Sequence, residues 1–422
     1  MRILWLKTDL LLPLDKGGKL RTWHLMRHLA RRHEISYLAF ADPDEPRENI
    51  AGMHEVATHV DTVARAEVPK ASPRFFARVA WHLADPLPYA VGQYRSRAYR
   101  RRVRELLATG NFDLVVADFL FPVINLPRTL PCPAVLFTHN VEAEIWRRHA
   151  ETATALRRSL YATQHRRMLR YEGAALRRFD GLLAVSEADR ETFLRLYPGV
   201  ERESIYVVPT GVDTEFFTPA PSPADSSELV FTGSMDWLPN EDAMQWFCRD
   251  VLPRIRQEVP QVRLSIVGRA PTPAVSRLAS EHGVRVTGRV DDVRPYIEDA
   301  AVFVVPLRIG GGTRLKIFEA MAMAKAVVST TVGAEGLPVT NELDILQADD
   351  AASFVTSVVR LLRDVPARRS LETAARRLVA EHFDWSAVAH DLDHALSRCA
   401  QLTVPESKGP ELQGSAVELR NP

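Results

Sequence analysis

"AVFVVPLRIGGGTRLKIFEAMAMAKAVVSTT", residues 301–331, carries the pattern on which the fold turns. A β-branched apolar run (301–307) gives way to three consecutive glycines, Gly310, Gly311 and Gly312. A helical apolar pattern (313–325) follows, and a second β run (326–331) closes the unit. Strand, loop, helix and strand in that order predict a parallel pair buried on both faces. The loop suits an anion. Glycines let backbone N–H groups approach closely, and a helix N-terminus adds about half a positive charge. Arg314 and Lys316 stand in the first turn, where the helix dipole disfavours cations, so their placement points to a phosphate. The plainer alternative is a turn with two solvated basic side chains. GxxxxGK[ST] is absent, so this is not the nucleoside-triphosphate loop.

Glu319 lies in the same helix, among Ile317, Phe318, Ala320, Met321, Ala322 and Met323. A carboxylate in such company needs a partner if it is buried. A ribose diol would satisfy it; a wet helix face is the commoner circumstance.

The alternation extends in both directions. "RILWL" (2–6), "EISYLAF" (34–40), "DLVVAD" (113–118), "PAVLFTH" (133–139) and "GLLAVS" (181–186) read as buried strands separated by helical stretches. After "IYVVPTGVDTEFFTPAPSPADSSE" (205–228), a Pro- and Ser-rich junction, the pattern restarts with "LVFTGS" (229–234) and "VRLSIVG" (262–268). The expected fold class is α/β, with two Rossmann-like domains facing each other across a cleft. The expected division is 1–205, 206–385, a last helix at 386–400 and a disordered tail at 401–422. Ligands in such sheets bind at the carboxyl ends of the strands.

At 422 residues, 46% of them apolar and 25% charged, the chain exceeds a single typical core. The net charge of +1 conceals an asymmetry: residues 1–200 carry 31 Lys and Arg against 22 Asp and Glu, so +9, which leaves −8 for the remainder. The first half is thus expected to face something anionic. Cys132, Cys248 and Cys399 are too few and too scattered for a disulfide framework or a metal cluster. No signal-peptide pattern or apolar span is evident, and a cytoplasmic protein is expected.

Three further features stand out. Gly17 and Gly18 open a predicted helix after the first strand, either as a second N–H cradle or as a simple turn. His139 ends a buried run where a catalytic group would lie; Glu142 or Glu144 just beyond would contact an acceptor or cap a helix. Residues 74–104 hold eight arginines and one acid, Asp85, interleaved with Phe75, Phe76, Trp81 and Tyr89. That composition reads equally as a surface for anionic lipid on the inner membrane face or as a solvated helix with core aromatics. Nucleic acid is set aside, since no recognition motif accompanies the arginines.

In combination these segments resemble the GT-B retaining glycosyltransferases grouped as family 4. The resemblance is strongest over 181–340, in "VSEADRETF" (185–193), "VVPTGVDTEFF" (207–217) and the stretch 286–337. It implies transfer of a sugar from a nucleotide sugar to a glycan or lipid-linked acceptor, with retention and with neither metal nor other cofactor. Catalytic roles then fall to His139, Arg314 and Lys316. Donor binding falls to Gly17, Gly18, Ser234, Arg289, Gly310, Gly311, Gly312, Thr313 and Glu319. Glu319 matches the second glutamate of the family's Glu-seven-Glu motif, whereas the first is replaced by Gly311. "FTGSMDWLPNEDA" (231–243) also departs, with Ser234 where many members have Arg and Pro239-Asn240 where Lys-Gly is common. Arg314 and Lys316 would supply the missing cations. The combination resembles a subgroup linked to exopolysaccharide assembly, among it exosortase-associated sugar transferases. A sugar-nucleotide epimerase and a catalytically silent GT-B scaffold are the competing readings. Phosphorylases of the same architecture need a lysine-bound pyridoxal phosphate, for which the sequence offers no indication.

Overall fold

In the computed structural model, residues 1–66, 72–73, 85–153, 155–220, 226–309 and 315–402 are described. Residues 310–314, residues 74–84 with Phe75, Phe76 and Trp81, and residues 403–422 lie outside the described residues.

Two wholly parallel sheets organise the chain. The first contains β1 (Arg2–Leu6), β2 (Glu34–Ala41), β3 (His59–Ala64), β4 (Leu114–Asp118), β5 (Ala134–Phe137), β6 (Gly181–Ala184) and β7 (Ile205–Val207), in the order β3-β2-β1-β4-β5-β6-β7. The second contains β8 (Glu228–Thr232), β9 (Arg263–Val267), β10 (Val284–Val286), β11 (Val302–Val305), β12 (Ala326–Ser329) and β13 (Leu346–Gln347), in the order β10-β9-β8-β11-β12-β13. Each order reverses direction once, between β1 and β4 and between β8 and β11. A crevice opens at such a reversal, beyond the strands' carboxyl ends.

Strand β1 shows why the apolar runs are continuous rather than alternating. Ile3 and Trp5 point to one face, against Leu25, Val388 and Leu392; Leu4 and Leu6 point to the other, against Tyr99 and Val103. A strand covered on both sides has no wet face to carry polar residues. The second sheet has one core, from Leu229 and Phe231 to Phe303, Phe318 and Phe354.

The last helix, Trp385–Ala400, packs on the first sheet, beside the helix Gly17–Leu29. The chain therefore crosses between the sheets twice. The two crossings are tied together: Val212 N–H donates to the Phe383 carbonyl at 2.8 Å, and Trp385 N–H donates to the Val212 carbonyl at 3.2 Å. Gly211 is required there, because a Cβ would lie 2.6 Å from the Trp385 ring.

Candidate active site

The crevice of the first sheet is lined by the ends of β1, β4 and β5. Lys7 follows β1, Asp118 ends β4, and His139 lies two residues beyond β5. The Asp118 carboxylate, fully buried, accepts from Lys7 Nζ at 2.7 Å, His139 Nε2 at 2.7 Å, Thr22 Oγ1 at 2.8 Å and Trp5 Nε1 at 3.0 Å. Burial alone would favour its neutral form. The nearby Lys7 and His139, with their hydrogen bonds, outweigh that and hold Asp118 below the usual carboxylate range. Burial pushes His139 down to about 3 against the pull of Asp118, so the imidazole is neutral at physiological pH.

Phe119 adopts φ 75°, a conformation unusual for an aromatic residue, and its ring stacks on His139 at 4.1 Å between centroids, 6° between planes. Gly17 and Gly18 are the first residues of the helix Gly17–Leu29, whose N-cap, Lys16, makes no side-chain cap. The helix thus presents uncapped N–H groups beside His139: a Cβ on Gly18 would sit 3.7 Å from His139 Nδ1 and 3.4 Å from Phe119. Arg21 on the same helix is buried, donates to the carbonyls of Thr138 and Val208, and lies over the Phe137 ring.

In the second sheet, Gly233, Gly268 and Gly288 follow the adjacent strands β8, β9 and β10. Their backbones touch: Gly268 N–H donates to the Gly288 carbonyl at 3.2 Å, and a Cβ on Gly268 would fall 1.7 Å from the Gly233 oxygen. Across the β8/β11 reversal comes the helix Leu315–Ala322 with Lys316 and Glu319. Lys316 Nζ donates to Asn240 Oδ1 at 3.1 Å and sits 4.1 Å from the Phe231 ring centroid. Asn240 donates to the Ser234 carbonyl at 2.9 Å, and Ser234 Oγ to Asp236 at 2.5 Å. Glu319 is half-buried; burial raises its pKa to about 7, with Lys316 drawing it the other way.

The two crevices share one cleft. At its rim Arg148, from the helix Glu142–Thr152, donates to Glu335 of the second domain at 2.9 Å, and Gly336 lies close to Ser186. Two surface cavities, of about 210 and 250 Å³, open elsewhere: one between His28 and His390, the other beside Arg2 and His59 at the opposite end of the first sheet's strands. Neither touches the cleft residues named above.

Two family models cover most of the chain: Glycosyltransferase Family 4 over residues 16–216 and Glycosyl transferases group 1 over residues 226–364. The chain belongs to these glycosyltransferases.

The glycosyltransferase is 27% identical over 355 residues to a phosphatidyl-myo-inositol mannosyltransferase of Mycobacterium tuberculosis, covering 79% of this chain and 86% of that one. It is 29% identical over 265 residues to an alpha-maltose-1-phosphate synthase of the same species, covering 54% and 66%. Among solved structures, HepE of Anabaena in complex with UDP aligns with a TM-score of 0.66 at 16% identity, over 94% of this chain and 100% of that one. That likeness is one of fold: two Rossmann-like domains in the GT-B arrangement.

In the glycosyltransferase Gly17, Gly18 and His139 lie at the crevice of the first sheet and Ser234 and Lys316 at that of the second, with Glu319 farther along the helix Leu315–Ala322. Arg289 is exposed beyond β10. Gly310, Gly311, Gly312, Thr313 and Arg314 lie outside the described residues. Glu142 and Glu144 have other occupations than capping. The cap of their helix is Glu172, which accepts from the N–H groups of Glu142 and Ala143 at 2.9 and 3.0 Å, while Glu144 pairs with Arg147. Sequence reasoning passed over Lys7, Thr22, Arg21, Phe119 and Asp118. The last had a visible signal, a carboxylate ending an otherwise apolar strand.

Proposed function

We propose that this glycosyltransferase moves a sugar from a nucleoside diphosphate sugar to a hydroxyl acceptor with retention of configuration. The observation that carries the reading is the convergence of Lys316, Asn240 and Ser234 at the β8/β11 reversal, opposite His139 and the uncapped helix at Gly17. Lys316 bridges to the loop after β8 and so brings a cation beside Ser234, where the sequence itself has none. It would hold the diphosphate and offset the negative charge that grows as the glycosidic C–O bond breaks. Arg314 is assigned the same task, and Gly310, Gly311, Gly312 and Thr313 the backbone contacts to phosphate. Glu319 accepts from the ribose hydroxyls. The N–H groups of Gly17 and Gly18 approach the diphosphate from the other wall. His139 faces the donor sugar. The acceptor hydroxyl then attacks from the side the diphosphate leaves, which preserves the anomeric configuration, and passes its proton to the departing phosphate oxygen. Closure about the paired crossings at Val212 and Phe383 limits donor hydrolysis. The reading invokes no metal or other cofactor.

A glycan or lipid-linked acceptor, hexose transfer and a place in polysaccharide assembly extend this proposal. Among the described residues no helix is long and apolar enough to cross a membrane. Within the described part of 74–104, Tyr99 and Val103 are core residues and Arg102 pairs with Asp61 at 2.7 Å. Arg97 and Arg104 are exposed and available to an anionic surface, while exposed Arg101 lies 3.6 Å from the Glu105 carboxylate.

Incubation with a panel of UDP- and GDP-sugars, following donor hydrolysis, tests the reading. Release of a nucleoside diphosphate with the sugar's anomeric configuration kept supports it. Sugar interconversion with the nucleotide still attached indicates an epimerase instead. No reaction with any donor favours a scaffold.

A further inference from the structure

The four donors on Asp118 come from four different places in the chain: β1, the residue after β1, the helix Gly17–Leu29 and the turn after β5. Such a convergence has a chemical consequence for one of them. Asp118 is ionised, so it offers His139 only acceptor oxygens, and the atom facing it must carry hydrogen. Lys7 balances the carboxylate's charge at 2.7 Å, which removes the incentive for the imidazole to take a second proton. One proton on the ring, held at Nε2, leaves Nδ1 bare.

Nδ1 is the His139 ring atom that faces the helix start, 3.7 Å from where a Gly18 Cβ would lie, and among the described residues it has no hydrogen-bond partner. The ring is also fixed in place. Phe119, with its left-handed backbone, covers one face at 4.1 Å, and Phe137 leans on it at 4.9 Å between centroids. A neutral imidazole pinned in this way is an acceptor with a set direction.

We propose that Asp118 is a positioning residue: it fixes His139 as the Nε2–H tautomer and aims the Nδ1 lone pair into the cleft, to accept a hydrogen bond from a hydroxyl of the donor sugar. The proposal rests on the reading that the sugar binds between His139 and the second domain. It assigns His139 the part of an acceptor for a sugar hydroxyl rather than that of a proton donor.

The wild-type protein labelled with 15N-histidine gives the first test. Two-bond 1H–15N correlations identify the tautomer, with the His139 signals assigned by their loss in His139→Asn. The expected pattern is a protonated Nε2 and a bare Nδ1, unchanged between about pH 5.5 and 8, a window above the His139 value of about 3. A protonated Nδ1 overturns the proposal, and this spectrum needs no variant that folds poorly.

Asp118→Asn gives the second. Its amide brings N–H toward one pair of donors, so turnover of the sugar donor is expected to fall roughly 100-fold. UDP affinity, set in the second domain, should stay within about twofold. A merely structural role would instead lower Tm and UDP affinity together and leave the tautomer unchanged, and full turnover in folded Asp118→Asn also overturns the proposal. His139→Ala separates the layers. If it keeps full turnover, the placement of the sugar at His139 is wrong; if it loses turnover while Asp118→Asn does not, only the positioning role falls.

Discussion

Lys316 and Asn240 are joined by a 3.1 Å hydrogen bond between side chains 76 residues apart, one in the first turn of the helix Leu315–Ala322 and the other near the start of the helix Leu238–Trp246 that follows β8. A Cβ on Gly233 would lie 2.8 Å from the Lys316 ammonium and 2.7 Å from Asn240 Nδ2. Glycine is thus what admits the lysine to the loop after β8. Beside that glycine this chain has Ser234 and Asn240, with a lysine delivered from another helix.

Replacing Lys316 by Met keeps an unbranched side chain and deletes the charge that sits over the Phe231 ring. If Lys316 holds the diphosphate, UDP affinity falls about 10- to 100-fold, the worth of a charge-assisted hydrogen bond. Uridine affinity should not change, and the salt dependence of UDP binding should weaken. Calorimetric titration at two salt concentrations measures all three, and unchanged UDP affinity would remove Lys316 from the donor site.

Much of the architecture was legible because a parallel sheet covered on both faces has no wet side: "RILWL" and "DLVVAD" could only be strands of that kind. The cleft residues divide differently. His139 and Glu319 stand out in sequence because each interrupts an apolar run. Asp118 does too, yet its meaning comes from Trp5, Lys7, Thr22 and His139, which lie 113, 111, 96 and 21 residues away. No local pattern encodes that convergence. The cap of the helix Glu142–Thr152 is hidden in the same way, since Glu172 arrives from the following helix. The last helix carries an amphipathic pattern from Trp385 to Cys399, but such a pattern names a face and not the partner it covers.

Glu319 offers a prediction with two chemical controls. A carboxylate accepting from a ribose diol should lose about tenfold in UDP affinity when changed to Gln, one hydrogen bond to a charged group being worth roughly 1.5 kcal/mol. The 2′-deoxy analogue dUDP, which lacks one of the two hydroxyls, should lose less. Because burial lifts Glu319 to about 7, its ionised fraction grows as pH rises through neutrality. UDP binding should therefore strengthen between about pH 6 and 8 in the wild type. That component should be missing in Glu319→Gln. Equal losses for UDP and dUDP would argue against a ribose contact.

Gly268 and Gly288 both have positive φ, 151° and 70°, but only one is crowded. A Cβ at Gly268 would meet the Gly233 carbonyl at 1.7 Å, whereas at Gly288 nothing lies within 4 Å. Gly268→Ala should destabilise the second domain by about 3 kcal/mol or more through overlap and strain combined. Gly288→Ala should cost only about 1–2 kcal/mol, from strain alone. Urea unfolding followed by tryptophan fluorescence ranks the two, and comparable midpoints would mean the glycine-to-glycine contact is not as close as described.

The carboxyls of Glu142 and Glu172 are buried together at the start of the helix Glu142–Thr152. Burial, then repulsion from Glu172, lifts Glu142 to about 8; burial lifts Glu172 to about 7, against the hydrogen bonds from Tyr197 and two backbone N–H groups. Those donors favour the charge on Glu172, so Glu142 is the partner that stays protonated. Unfolded, either group would ionise near its ordinary value of 4.5. The folded state thus binds more protons than the unfolded state between about pH 4.5 and 8. Stability is full below pH 4.5, declines as pH rises through that window, and levels above it. Glu142→Gln removes the titrating group and keeps the shape. It should match the wild type near pH 4.5 and exceed it at pH 8 by on the order of 2 kcal/mol. Glu172→Gln behaves oppositely, because it weakens the cap and the 2.5 Å bond from Tyr197 and so lowers Tm across the whole range. Thermal unfolding of the three proteins at half-unit pH steps decides the matter: a wild-type curve parallel to that of Glu142→Gln would mean that Glu142 is already ionised in the folded protein.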